Sequence, residues 1–201
     1  MNFTVATVTG RLVALDAPTI DDINEIDIAN NLSQINRYNG ATRPECSWSV
    51  AAHSILAAYL AKDPDVYPYA LVHDAHEAWC CDLISPLKKY LEHLVGRDVV
   101  KPMTDRFDKL ISEYFGLQWP WPEHIARAVK RADMLSYSLE KKLFLAPTPE
   151  WSFQLPVPPE DVPGDILALA GRPDEAREWL LGALQDLRLR HMAEPALAAA
   201  M

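Results

Sequence analysis

The chain has 201 residues and a formal net charge of −9, with 49% hydrophobic and 23% charged residues. That is the make-up of a globular protein with one sizeable core, and the acidic balance argues against a broad nucleic-acid-binding face. No apolar run approaches the roughly 18–20 residues of a membrane span, no signal-peptide pattern opens the chain, and three cysteines, two of them adjacent, make no disulfide framework.

Residues 3–15, FTVATVTGRLVAL, alternate in polarity and break at Thr9-Gly10, which predicts a short β-hairpin. From Asp21 the pattern becomes helical, with Ile28, Leu32 and Ile35 on one face. A turn-rich loop, NRYNGATRPECS, leads to a helix capped by Ser47 or Ser49 and running to about Ala61. Pro68 opens the next predicted helix, which extends to about Ser85-Pro86. Further helices are expected over 103–115 and 123–145. Residues 146–172 form a proline-rich strap, and 173–192 a last helix before a frayed tail. The expectation is one all-α domain over 1–201, a bundle of about six helices with a minor hairpin.

The stretch ALVHDAHEAWCCD raises the functional question, because it places five ionisable groups in a segment patterned for a core. On a helix, His73, His76 and Glu77 share a face, with Asp74 about 100° around from His73. A buried carboxylate costs several kcal/mol unless it is paired or bound to a cation. His53 interrupts SVAAHSILAAYL in the same way, and Asp133 interrupts AVKRADMLSYSL. One divalent metal would satisfy His53, His73, Asp74 and Asp133 together. The plainer alternatives are a satisfied core histidine at 53 and an ion pair from Asp133 to Lys130 or Arg131. Cys80 and Cys81 read as helix packing, and Trp119, Trp121, Trp151 and Trp179 as core and strap anchors.

The ordered set H…HD…D, together with INRYNG, WSVAAHS, ALVHDAHEAWCCDLISPLK and VKRAD, resembles the HD-domain phosphohydrolase superfamily. Within it the chain resembles small bacterial 5′-deoxynucleotidases and phage dATP triphosphohydrolases, the latter also through IDIANNLSQ. The resemblance spans roughly Phe3 to Leu145. It implies an HD-domain helical bundle in which His53, His73, Asp74 and Asp133 hold a divalent ion (Zn, Mn, Co, Fe or Mg). It also implies catalytic roles for Glu77 and Asp82, spaced as HDxxExxxxD, and substrate contacts from Arg37, Tyr38 and Lys88. His76 departs from the small residue the resemblance leads one to expect.

The activity so implied is hydrolysis of a deoxynucleotide, first of all dATP to deoxynucleoside and triphosphate. The alternatives are a 5′-deoxynucleotidase acting on monophosphates and a non-catalytic nucleotide-binding protein that retains the metal. A (p)ppGpp hydrolase fits less well, because Glu77 is followed by Ala78 rather than by an aspartate. The implied partner is a small-molecule substrate, with no nucleic-acid polymer and no membrane. Relatives of this kind are commonly homo-oligomers, and the implied location is cytoplasmic (host cytoplasm for a phage-encoded protein).

Overall fold

The structure, a computed structural model, describes residues 3–147 and 154–199, with side chains to Ala193. The protein is mostly helical, with one two-stranded antiparallel sheet at its N-terminus. Strands β1 (Thr4–Ala6) and β2 (Leu12–Ala14) pair through Val5 and Val13, and Gly10 turns between them at φ 81°. The hairpin is tied to the bundle by Asp27, whose carboxylate accepts the Thr9 N–H at 3.0 Å and its hydroxyl at 2.8 Å. Asp27 belongs to α1 (Glu25–Gln34), which starts where the Asn24 side chain accepts the Asp27 N–H.

Helix α2 (Val50–Ala61) is capped by Ser49 rather than Ser47, its hydroxyl accepting the Ala52 N–H at 3.2 Å. Nearly every residue of α2 is buried, so it forms the axis of the bundle. It packs against α3 (Tyr67–Val72), α7 (Glu123–Phe144) and α9 (Pro173–Ala199). The buried cluster draws on Val13, Ile28, Leu56, Leu71, Phe107, Val129 and Leu184, so it runs from the hairpin to the last helix.

Several expectations fail. The helix drawn through 68–86 is broken. After α3 the chain bonds i to i−3, from Ala75 N to Val72 O and from Glu77 N to Asp74 O, both at 3.0 Å. This tighter winding leads into the short α4 (Glu77–Cys80). Cys81 then adopts φ 61°, ψ 164°, which stops α4, and its exposed side chain packs in no helix interface. Ser85–Val95 forms a separate helix, α5, before α6 (Lys101–Tyr114). The bundle of about six helices therefore resolves into segments α1 to α9 among the described residues.

The strap is interrupted by α8 (Gly164–Leu167), and part of it, including Trp151, lies outside the described residues. The last helix does not stop near 192 but continues to Ala199. Trp179 is not a core anchor: it is 39% exposed, while Trp48 and Trp79 fill the interior. No described helix is long and apolar enough to cross a membrane.

Candidate metal centre

Three helical segments converge on one point. His53 comes from the middle of α2, His73 and Asp74 from the turn that ends α3, and Asp133 from the middle of α7. The Nε2 atoms of His53 and His73 face each other at 3.2 Å. Asp133 Oδ1 lies 3.4 Å from His53 Nε2. Asp74 Oδ2 lies 3.2 Å from His73 Nε2 and 3.6 Å from His53 Nε2. His53, His73 and Asp133 each bring one donor atom into a group spanning less than 4.8 Å.

The second nitrogen of each imidazole explains why these donors point inward. His53 Nδ1 lies 2.6 Å from Glu140 Oε1, and His73 Nδ1 lies 2.8 Å from the Ala70 carbonyl oxygen. A carboxylate and a carbonyl only accept, so both Nδ1 atoms carry protons and both Nε2 atoms turn to the cluster. Two neutral imidazoles so placed would aim lone pairs at each other across 3.2 Å. A proton or a cation removes that repulsion. Bonds of about 2.1 Å to a divalent metal put neighbouring ligands about 3.0–3.4 Å apart, close to the observed spacings. His53, His73 and Asp133, two imidazoles and a carboxylate, could therefore hold a metal ion, with Asp74 beside His73, though such a set does not select one metal.

Electrostatics agree with a cation-seeking cluster. Burial alone would raise Asp74 and Asp133, but the histidines outweigh it, with Arg37 adding at Asp74, and both carboxyls fall below the usual range. Burial and Arg37 would depress His53, yet Glu140 and Asp133 outweigh them and raise it to about 9. A raised His53 favours its protonated form in the metal-free protein.

Arg37 forms a neighbouring wall of the cluster. Backbone bonds from Arg37 N to Trp48 O and from Val50 N to Ile35 O, both 2.9 Å, close the loop between α1 and α2 and set Arg37 at the head of α2. Its NH1 lies 3.5 Å from Asp74 Oδ2, and its Nε donates to Glu140 Oε2 at 3.0 Å. Tyr38 adopts φ 60° and Asn39 φ 52°, a left-handed stretch that costs about 1–2 kcal/mol per residue. Tyr38 donates its hydroxyl to Glu140 Oε2 at 2.5 Å and stacks on Tyr137 at 5.6 Å. It supports Arg37 from behind.

Glu77 and Asp82 sit on the other side. Glu77 is 4% exposed, and its Oε2 has no hydrogen-bond partner among the described residues. Burial, then repulsion from Asp74 and Asp82, raises Glu77 well above the usual carboxyl range. Burial also raises Asp82, which is half-buried, against the opposing charge of Arg37. Asn31 of the IDIANNLSQ segment donates to the Ala78 carbonyl at 2.8 Å, which fixes the turn carrying Glu77. Lys88 on α5 acts on Glu77 and Asp82 through its charge, and its ammonium makes no hydrogen bond or ion pair among the described residues.

His76 is paired away from the cluster, with Asp108. Its Nδ1 lies 2.8 Å from Asp108 Oδ1 on α6, and that pairing outweighs burial to raise its pKa. The ion pair considered for Asp133 also exists: Lys130 donates to its Oδ2 at 2.7 Å while Oδ1 faces His53. The residue that sequence reasoning missed is Glu140. In SLEKKL it reads as a solvated charge, and the available signal was its position seven residues after Asp133, two turns along the same face of α7.

The fold and the cluster define a mostly helical protein with a histidine–carboxylate centre able to hold a cation. The chain belongs to the family of the uncharacterized protein YfdR of Escherichia coli K12, with which it is 33% identical over 138 residues, 69% of this chain and 70% of that protein. An uncharacterized protein of Rhodobacter capsulatus is 36% identical over 138 residues, 66% of this chain and 68% of its own length. No family model matches the chain.

Proposed function

We propose that the protein is a metal-dependent phosphohydrolase of deoxynucleotides of the HD-domain superfamily, with dATP hydrolysis to deoxynucleoside and triphosphate as the first reading. The observation that carries it is the convergence of His53, His73, Asp74 and Asp133 within 3.2–3.6 Å contacts, with Arg37 3.5 Å from Asp74. A bound divalent ion supplies an acidified water and polarises a phosphoryl oxygen. Arg37, whose Nε is held by Glu140, offers its remaining N–H groups to a phosphate. Glu77 and Asp82, both with raised pKa, suit proton transfer to and from the reacting oxygens.

One observation favours the second reading, a 5′-deoxynucleotidase. Arg37 and Lys88 are the basic side chains whose charge acts on both Glu77 and Asp82, a modest complement for a triphosphate. The test is a panel of dNTPs, dNMPs and NTPs incubated with metal-stripped protein plus Zn, Mn, Co or Mg, with products separated by chromatography. Deoxynucleoside plus intact triphosphate supports the first reading, and orthophosphate from dNMPs alone supports the second. No turnover with any metal would overturn both and leave a nucleotide-binding role.

A further inference from the structure

Glu140 lies outside every motif described above, yet it is fully buried and reaches both working parts of the site. One oxygen sits 2.6 Å from His53 Nδ1, and the other accepts from Tyr38 at 2.5 Å and from Arg37 at 3.0 Å. Burial would raise its carboxyl, but Arg37 and His53 outweigh that and hold it at about 2. We infer that Glu140 is a positioning residue that ties cation capture to anion capture. Its first oxygen fixes which nitrogen His53 presents to the cluster, and its second fixes the guanidinium of Arg37 beside Asp74. The inference rests on the metal-dependent reading of the site.

Each arm has a separate physical basis. An imidazole without a fixed acceptor at Nδ1 exchanges tautomers and rotates, so its Nε2 lone pair is no longer aimed; outer partners of this kind typically change metal affinity by about 10–100-fold. Arg37 opens a turn that continues into left-handed Tyr38, Asn39 and Gly40. Strain of that kind persists only where surrounding contacts over-determine it. Here α7 supplies them, through Glu140 under the Tyr38 hydroxyl and Tyr137 against its ring. The loop is also pinned further on, where the Arg43 N–H donates to the Phe144 carbonyl at 2.8 Å. One helix thus carries a cluster ligand, Asp133, and two turns later the clamp for the anion-binding arginine.

The two arms can be cut separately. Glu140→Gln keeps a carbonyl oxygen for the His53 N–H but turns an amide N–H₂ toward Arg37, donor against donor. Glu140→Leu removes both arms. Full-length protein would be titrated with Zn against a competing chelator, then, Zn-loaded, with inorganic phosphate by calorimetry. The Co-substituted protein would supply a visible spectrum sensitive to ligand geometry, and circular dichroism would check folding.

Glu140→Gln is expected to hold Zn affinity within about tenfold and to weaken phosphate binding by at least about tenfold. Glu140→Leu is expected to weaken Zn by about 10–100-fold and to change the Co spectrum. A folded Glu140→Leu with wild-type Zn affinity, phosphate affinity and Co spectrum overturns the role of Glu140. Glu140→Gln that loses Zn but binds phosphate normally overturns it as well, and this variant decides alone where Glu140→Leu does not fold. Wild-type protein that takes up none of Zn, Mn or Co overturns the metal reading itself and this inference with it.

Discussion

Glu140 and Glu77 are both buried glutamates of one site, but Glu140 has three partners, from α2 and the loop before it, while one oxygen of Glu77 has none among the described residues. Their carboxyls move in opposite directions, Glu140 down to about 2 and Glu77 well above the usual range. The two halves of the site differ in the same way. The α2–α7 half is closed by contacts within the chain, and Arg37 and His53 stay aimed without a ligand. The α4–α5 half leaves Glu77 repelled by Asp74 and Asp82, a lysine without a side-chain partner among the described residues, and a helix with no buried residue. An unpartnered buried polar atom costs about 1–3 kcal/mol, and Trp79 beside it, stacked on Phe107 at 4.9 Å, carries a second buried atom, Nε1, with no hydrogen-bond partner among the described residues. The first half is held by contacts within the chain, and the second keeps an unsatisfied buried carboxylate oxygen among the described residues.

The largest expected effect comes from removing a donor of the cluster. His73→Ala or Asp133→Ala should lower Zn affinity by at least about 100-fold, beyond the 10–100-fold typical of outer partners. Metal content after dialysis, read by atomic emission, checks this. Retention of stoichiometric metal by either variant would remove that residue from the ligand set.

The next effect is one of pH. His53 is raised to about 9, so below that pH the metal-free protein carries a proton on Nε2 that a metal must displace. Zn affinity should therefore rise about tenfold per pH unit from 7 towards 9, with about one proton released per ion. Calorimetry in buffers of different ionisation enthalpy measures that release. The same shift has a stability sign. For metal-free protein, the His53 contribution is fully present below its unfolded pKa of about 6.5 and is lost as pH rises through about 9.

Smaller again is the effect of relaxing the open half. Glu77→Gln removes the charge that burial, Asp74 and Asp82 disfavour. A carboxyl raised in the folded state binds more protons there than in the unfolded chain, so wild-type stability falls as pH rises above about 4.3. Metal-free Glu77→Gln should then be more stable than wild type at neutral pH, by roughly 1–3 kcal/mol, and the gap should close towards pH 4. Urea midpoints across that range decide it. A destabilised variant would mean that the charged carboxylate has a partner in solution.

The sequence makes these halves unequally legible. Helix α2 is legible from its apolar run and the serine before it, α7 from its long helical stretch, and the hairpin from Thr9-Gly10. The residues that meet at the centre are conspicuous because His53 and Asp133 interrupt apolar runs. The break at 73–76 is not visible that way. Its i to i−3 bonds form from residues that suit an α-helix equally well, and the pairing of His76 with Asp108 is a tertiary contact that periodicity does not reveal. Glu140 is hidden for the converse reason. A glutamate before two lysines matches a solvated face, and its burial depends on Arg37, Tyr38 and His53 arriving from residues about ninety to a hundred positions away.

The smallest expected effect concerns α5. Its apolar residues Leu87, Tyr90, Leu94 and Val95 are 39–61% exposed and no residue of it is buried. An eleven-residue helix is marginal on its own. This one has Pro86 in its first turn and Gly96 at its end, where φ is 76° and the Gly96 N–H donates to the Glu92 carbonyl at 2.8 Å. Leu94→Lys should accordingly change stability by less than about 0.5 kcal/mol, whereas Leu56→Ala in the fully buried α2 should cost about 2–5 kcal/mol. Urea midpoints at two protein concentrations compare them. A cost for Leu94→Lys approaching that of Leu56→Ala would mean that the stripe is covered in solution. The open half of the site would then be completed from outside the chain, and Lys88, on the same helix, would be held by that contact.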